Sequence, residues 1–224
     1  MDDIRRMLRA AAFCALGLAV MALSGCSLFV MAGKMIFGDP KMPCAFRSAT
    51  HVDLVKDAKR ILVVCSTPEA IKSEWTSLNV DLLDGVTRRL KTQGIDVVNP
   101  DDVATWLDDN GGTFDHPTEL AEKFNVDYII HLDIERFTFF EENSPTLYRG
   151  RTRGNVIAYA VQKVNGQKTA RHVFEREFNS EYPEQYPIAA ESMSDKVFQK
   201  QYLDRVCAQV TFVFYDHRLS EEIH

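Results

Sequence analysis

The sequence predicts an α/β protein, more specifically an α+β sandwich in which helices pack on a mixed sheet with a long antiparallel meander. A continuous apolar run at residues 61–65 is typical of a strand buried on both faces. Apolar residues at helical spacing follow it at 71–90. Three alternating segments between residues 128 and 181 predict the meander. The resulting order, β-α-β-α-α-β-β-β-α, fits few topologies, because crossovers are right-handed and connections are short.

The amino-terminal segment has the composition of an export signal. Arg5, Arg6 and Arg9 precede an uncharged run over residues 10–23. This run is too short to span a bilayer comfortably, but it has the length of a signal-peptide core. An uncleaved signal anchor is the alternative interpretation.

The apolar run ends in Leu23, Ser24, Gly25 and Cys26. These residues resemble the lipobox of bacterial lipoproteins, which has a branched aliphatic residue, two small residues and a cysteine. The resemblance implies that residues 1–25 are a lipoprotein signal peptide and that the mature chain begins at Cys26, acylated with palmitate or a similar chain. Acyl chains hold a protein on a membrane without a transmembrane segment, since each buried methylene contributes about 0.8 kcal/mol.

We therefore expect a cell-envelope protein anchored to membrane lipid through Cys26 and facing the periplasm. Ser27 stands where an Asp would favour inner-membrane retention in the sorting pattern of that family, so the outer membrane is favoured. Residues 26–59 are predicted to be the lipidated cysteine and a membrane-proximal tether, because Gly and Pro interrupt regular structure there. The periplasmic α/β domain is predicted at 60–218 and a tail at 219–224.

The first half of the domain is predicted to contain two crossover units. After the opening strand, six apolar residues recur every three or four positions and share one helical face: Ile71, Trp75, Leu78, Leu82, Val86 and Leu90. Gly94 ends this helix, and residues 95–98 form a short strand. Asn99 caps a short helix, and another short helix follows at 115–125.

The second half is predicted to be the meander and one helix. Strands are expected at 128–141, 147–164 and 167–181, and Asn165 with Gly166 is a strong hairpin signal. The final helix has an apolar stripe formed by Phe198, Tyr202, Leu203, Val206, Val210 and Phe214.

This plan resembles the soluble domains of three envelope groups: the curli secretion channel lipoproteins, the amino-terminal domain of the Tol-system propeller protein, and the lipoprotein activators of peptidoglycan synthases. The matching segments are residues 61–64, Leu90 with 94–98, and 120–124 leading into 126–130. The chain lacks the extra membrane-spanning hairpins of the first group and the length of the second. The resemblance therefore implies a single tethered binding domain.

Charge and cysteine content restrict the function classes. The chain has 26 Lys and Arg against 32 Asp and Glu, a net charge of -6. This balance argues against nucleic-acid binding, which needs a basic surface. Cys44, Cys65 and Cys207 cannot all pair with one another, and we expect them to act as small buried hydrophobic residues. A disulfide between two of them is left open.

His131, Asp133 and Glu135 lie on one face of the predicted strand at 128–141. An imidazole with carboxylates could bind a metal ion or act in catalysis, but no Cys or His cluster accompanies them. The sequence contains no nucleophile elbow, P-loop or Rossmann pattern. We predict no catalytic residue, metal or cofactor, and an envelope enzyme or metal-binding protein using these three residues is the alternative.

Phe137 and Phe139 fall on the polar face of that same strand, while Arg149, Arg151 and Arg153 alternate onto one face of the next. If both sets are exposed, arginines beside aromatic rings form a partner-binding surface. The alternatives are a β-bulge that shifts the strand phase and a solvated face with cross-strand charge pairs.

These observations predict a lipid-anchored periplasmic binding or accessory domain that contacts another envelope protein in assembly, transport or cell-wall synthesis. Its expected partners are membrane lipid and a protein, and we expect no nucleic acid. The sequence leaves the oligomeric state open, and an oligomeric export-channel subunit is a further alternative.

Overall fold

The computed structural model describes residues 41–218 and residue 221. Its strands are β1 (Lys41–Met42), β2 (Arg60–Ser66), β3 (Asp96–Val97), β4 (Tyr128–Glu141), β5 (Ser144–Val164), β6 (Gln167–Tyr182), β7 (Ile188–Ala189) and β8 (His217–Arg218). Its helices are α1 (Ala45–Thr50), α2 (Glu69–Glu74), α3 (Leu78–Thr92), α4 (Pro100–Asp109), α5 (Pro117–Lys123) and α6 (Asp195–Thr211).

One six-stranded sheet organises this part of the chain. Its strand order is β3-β2-β4-β5-β6, with the short β7 paired to β5. β2 runs parallel to β3 and β4, whereas β4, β5 and β6 are antiparallel neighbours. β1 and β8 form a separate two-stranded sheet. The predicted mixed sheet with an antiparallel meander and packed helices is confirmed.

Apolar side chains on the two faces of β2 enter two different cores. Ile61 and Val63 lie in the larger core with residues of α3 and α6. Leu62 and Val64 lie in the smaller core with residues of α4 and α5. All four side chains are at most 2% exposed, which explains the unbroken apolar run in the sequence. We call the side of α3 and α6 the inner face of the sheet and the side of α4 and α5 the outer face.

α6 is fixed on the inner face by Tyr202. The Tyr202 ring is fully buried, and its hydroxyl donates to the Ser180 carbonyl oxygen at 3.1 Å and lies 2.6 Å from Thr152 Oγ1. Gly150 lies directly under the ring, where a Cβ would be 2.4 Å from Tyr202 Cγ. Except for the partly exposed Leu203, the predicted apolar stripe of this helix is buried in the larger core, as expected.

The helix predicted over residues 71–90 is in fact two helices. α2 ends at Glu74, and Trp75 leaves helical geometry with φ -127° and ψ 74°. Its ring packs edge-on against Phe139, with ring centroids 4.8 Å apart. The six predicted apolar residues still contact the larger core.

The predicted tether at 26–59 is wrong in its last part. Cys44 and Phe46 are at most 4% exposed. The Phe46 N–H donates to the Val213 carbonyl oxygen at 3.0 Å. The compact unit begins at residue 42 rather than at residue 60. One buried aromatic residue in a short segment has no periodicity, so the sequence pattern does not reveal it.

The three described cysteines are free thiols. Cys44 and Cys207 are buried and Cys65 is partly buried, which agrees with the prediction that they act as small hydrophobic residues. Burial raises the pKa of Cys207 to about 12. This thiol therefore stays protonated at neutral pH and is a poor nucleophile.

Gly85 of α3 packs directly on Cys207 of α6. A Cβ at Gly85 would lie 2.5 Å from Cys207 Sγ. We expect Gly85→Ala to lower the free energy of unfolding by about 1–3 kcal/mol through overpacking, as measured by urea denaturation.

Cys207→Ala provides the matched test, because it removes the sulfur and leaves the Cys207 Cβ at 3.5 Å, an ordinary contact distance. The double variant, Gly85→Ala with Cys207→Ala, should then be more stable than the sum of the two single-variant changes in the free energy of unfolding predicts. Ala is favoured over Gly in a helix by about 1 kcal/mol once the clash is gone. Strictly additive effects would contradict the close packing of these two helices.

Candidate functional site on the outer sheet face

Among residues 41–218, helices cover only part of the outer face. α4 and α5 pack over Ile129 of β4, and Val161 of β5 and Ala170 of β6 border the same small core. Further along these strands the outer-face side chains are mostly polar and are partly or fully exposed. We call this region the open outer face; it comprises His131, Asp133, Glu135, Glu141, Arg149, Arg151, Arg153, Asn155, Ile157, Glu175, Glu177, Asn179 and Glu181.

Ser66, His131 and Asp133 meet where β2 ends. Ser66 pairs with Asp133 across the parallel strands β2 and β4. Its Oγ is 2.6 Å from His131 Nε2 and 3.2 Å from Asp133 Oδ1. Phe114, between α4 and α5, packs edge-on against the imidazole with centroids 5.2 Å apart. Ligand sites of α/β sheets lie beyond the carboxyl ends of parallel strands, so this cluster is where chemistry would be expected.

The direction of the hydrogen bond between Ser66 Oγ and His131 Nε2 depends on which imidazole nitrogen carries the proton. A serine hydroxyl has one proton to donate. With the imidazole proton on Nε2, His131 donates to Ser66 Oγ and the hydroxyl donates to Asp133. With the imidazole proton on Nδ1, Nε2 accepts the hydroxyl proton, as the imidazole does in a catalytic serine pair.

Glu135 does not join this cluster. Its carboxylate accepts a hydrogen bond from Asn155 Nδ2 at 3.1 Å and pairs with Arg153 Nε at 3.2 Å. The predicted trio of His131, Asp133 and Glu135 thus shares a face but not a site. Among residues 41–218 and 221, no three His, Cys, Asp or Glu side chains are grouped so as to hold a metal ion.

The three arginines of β5 form a ladder with carboxylates of both neighbouring strands. The ion pairs are Arg149 with Glu141 (3.1 Å) and Glu181 (3.2 Å), Arg151 with Glu141 (2.8 Å) and Glu181 (3.5 Å), and Arg153 with Glu135 (3.2 Å) and Glu177 (3.3 Å). Four carboxylates face three guanidinium groups. The ladder is therefore slightly acidic and is a poor site for phosphate or another anion.

Exposure increases along the ladder. The side chains of Arg149 and Arg151 are 14% and 20% exposed, whereas that of Arg153 is 58% exposed. The hydrogen bond from Arg151 lowers the pKa of Glu141, which keeps this carboxylate ionised. The predicted arginines do share one face, but the arrangement is the alternative one, a face with cross-strand charge pairs.

Phe137 and Phe139, predicted as candidate partner-binding residues, follow the alternative in which a β-bulge shifts the phase of the strand. These side chains are 5% and 3% exposed and lie in the larger core, where both contact Trp75. The pairing of β4 with β5 shifts register between Ile134 and Arg136. Because side chains alternate with a period of two, one extra residue in a bulge moves the following side chains to the opposite face. The partner surface therefore cannot include these two rings.

The sequence pattern indicates no functional role for Ser66, and among the four carboxylates of the ladder it singles out only Glu135. Ser66 and Asp133 are separated by 67 positions, and only the parallel pairing brings them together. The acidic residues of β6 do carry a signal, because Glu175, Glu177 and Glu181 are spaced at even intervals. This alternation would place them on one face opposite the arginines.

No family model matches the chain, and no curated protein matches it. Lipoprotein GNA1162 from Neisseria meningitidis is 15% identical in a structural match that covers 68% of this chain and 97% of that chain, with a TM-score of 0.38. A minor lipoprotein from Acinetobacter baumannii is 14% identical, with coverages of 68% and 87% and a TM-score of 0.28. A PelC dodecamer from Paraburkholderia phytofirmans is 14% identical, with coverages of 68% and 88% and a TM-score of 0.32.

Structural neighbours of the chain thus include bacterial lipoproteins. At these identities and TM-scores the likenesses assign neither a family nor a function. Cys26 and the lipobox lie outside the described residues. Within the ranges that are described, no helix combines the length and the apolar character needed to cross a membrane.

His131 should make the domain less stable as the pH falls. Burial lowers the pKa of its imidazole below the ordinary value, and the Asp133 carboxylate opposes this shift without cancelling it. Below about pH 6.5 the unfolded chain therefore takes up a proton before the folded chain does. The free energy of unfolding should fall by up to about 1.4 kcal/mol per pH unit in this window.

His131→Gln should remove this contribution, measured as the slope of unfolding free energy between about pH 7 and pH 5. The control is Val164→Gln, which introduces the same side chain at an exposed position of β5 without changing a titratable group, and it should leave the slope unchanged. Equal slopes for the unaltered protein and for His131→Gln would contradict the prediction.

Proposed function

We propose that this protein is a lipid-anchored accessory domain of the bacterial cell envelope, tethered through Cys26, that binds another envelope protein in the periplasm through its open outer face. The observation that carries the proposal is the incomplete cover of the sheet. α4 and α5 occupy one part of the outer face, and the three longest strands present a charged array on the rest. Strands joined by backbone hydrogen bonds form a rigid surface, and a rigid surface loses little conformational entropy on binding.

The Arg–Glu ladder suits such a surface. Arg149 and Arg151 are held in place by Glu141 and Glu181, so these side chains are ordered before a partner arrives. Ordered side chains lower the entropic cost of association, and Arg is enriched in interfaces. Alternating charges also discriminate between partners, because like charges across an interface are strongly unfavourable.

We propose a binding function without catalysis. With the imidazole proton of His131 on Nε2, the hydroxyl of Ser66 donates to Asp133, and Glu135 is used in the ladder. Both arrangements support a structural role for these groups. They weigh against the alternative of an envelope enzyme that uses His131, Asp133 and Glu135.

The anchor is tested by Cys26→Ala. We expect this variant to lose incorporation of an alkyne-labelled palmitate analogue and to leave the membrane fraction, because one thiol carries the lipid. Ser27→Ala is the matched control and should keep the label. Retained labelling in Cys26→Ala would contradict lipidation at this residue and favour an uncleaved signal anchor.

The binding surface is tested with a photo-crosslinking amino acid at Ile157, in the open outer face, in intact cells. Arg153→Glu places a third carboxylate beside Glu135 and Glu177, and we expect it to lower the yield of the crosslinked partner about tenfold. Removal of this exposed ion pair should change folding stability by less than about 1 kcal/mol. Lys91→Glu makes the same charge change on α3 and should leave the yield unchanged. Equal yields in the two variants would rule out this surface.

A further inference from the structure

β6 is an edge strand, and no described strand pairs with its free edge. Both ends of that edge are covered. The Ala170 N–H donates to Thr118 Oγ1 of α5 at 3.2 Å. The Asn179 carbonyl oxygen accepts a hydrogen bond from Gln209 Nε2 of α6 at 3.0 Å. We call the stretch between them, residues 173–178, the open edge of β6.

The contact at Asn179 shows which backbone groups face outward. Its carbonyl points away from β5, and residues two apart in a strand point in the same direction. Pairing with β5 is regular over residues 175–179. The N–H and C=O groups of Glu175 and Glu177 therefore face the open edge. In the described part of the chain, no hydrogen bond to these groups is present.

A groove of about 370 Å³ lies beside this edge, between β6 and α6. Its apolar lining residues are Val156, Phe178, Ala208, Phe212 and Val213. A strand added to β6 would direct alternate side chains toward this lining. A groove between an edge strand and a helix is the geometry in which several domains bind extended peptides through their main chain.

The charged residues along the open edge determine which peptide sequences can pair with it. Glu175 and Glu177 project on the outer face and are exposed. Arg176 lies on the inner face between Phe174 and Phe178, yet it is exposed and forms no ion pair with a described residue. An inward-pointing charge on an edge strand prevents indiscriminate strand pairing. Glu175 already lies 3.3 Å from His172 Nε2, and Glu177 lies 3.3 Å from Arg153 Nε. A strand that pairs here is therefore favoured most by a carboxylate opposite Arg176, and by cations rather than carboxylates opposite the two glutamates.

A second copy of this chain does not meet that requirement. Antiparallel pairing of two β6 strands about residue 176 would place Glu175 opposite the Glu177 of the other copy, twice. Centring the pair on residue 175 or 177 would place an identical carboxylate opposite itself. Like charges directly opposite each other destabilise an antiparallel pair.

We propose that the open edge of β6 binds an extended segment of a partner protein by antiparallel strand addition, and that this segment carries basic, acidic and basic residues in succession opposite Glu175, Arg176 and Glu177. This site adjoins the open outer face, because Glu177 pairs with Arg153 and Glu175 lies opposite Ile157 of β5. The two proposals are distinguished by the groups that are changed: Glu175→Pro removes a main-chain donor at the edge, whereas Arg153→Glu and crosslinking from Ile157 probe side chains of the outer face.

The test uses the soluble chain from residue 27 and the heptapeptide Val-Thr-Lys-Asp-Lys-Thr-Val. We expect the peptide to slow hydrogen exchange at the Glu175 and Glu177 amides. Glu175→Pro removes one outward-facing N–H without removing a bond to β5, and it should weaken binding about tenfold. Glu175→Thr removes the same carboxylate but keeps the N–H. Any additional loss of peptide affinity in Glu175→Pro therefore measures the contribution of the main-chain hydrogen bond.

Arg176→Glu supplies a charge-swap test. It should weaken binding of the acidic-centred peptide about fivefold and improve binding of Val-Thr-Lys-Lys-Lys-Thr-Val by a similar factor. The proposal would be overturned if peptide affinity did not depend on the charge of the central peptide residue. So would unchanged exchange at both amides up to about 1 mM peptide. Self-association of the chain that Glu175→Pro abolishes would show a second copy at this edge and would equally overturn it.

Discussion

The register of β4 against β5 determines what each face of the sheet displays. One register shift, between Ile134 and Arg136, moves Phe137 and Phe139 onto the inner face. Gly154 permits it, because a Cβ there would lie 2.3 Å from the Asp133 carbonyl oxygen. The two rings then become part of the aromatic packing around Trp75 and α6. Without this shift these two rings would project from the outer face, and the inner face would lose two of its aromatic side chains.

The charged outer face follows from the same register. Once the aromatic rings are inside, the remaining outer-face positions of β4 bring carboxylates beside the arginines of β5. Arg149 and Arg151 are largely buried, and a buried charge is tolerated only when it is paired. Glu141 and Glu181 supply that pairing from two different strands. The ladder therefore ties three strands together and fixes the surface that we propose for partner binding.

The distribution of helices decides which surfaces stay available. α3 and α6 cover the inner face with a core held by Tyr202 and by the close contact of Gly85 with Cys207. α4 and α5 are short, and they cover only the region around Ile129. The described chain thus presents an open outer face and an open edge of β6. Both surfaces carry ordered charges that suit recognition.

The sequence by itself determined the fold class, the order of the main strands and helices and the hairpin at Asn165, because these depend on local periodicity and turn chemistry. It also predicts the lipobox at Cys26, whose motif is contiguous. The tertiary structure alone decided that Phe46 joins the core, that Phe137 is buried and that Ser66 meets His131. These outcomes depend on β-bulges and on pairing between residues that are distant along the chain. The alternation of apolar and polar residues does not show where a bulge moves the following side chains to the opposite face of the sheet.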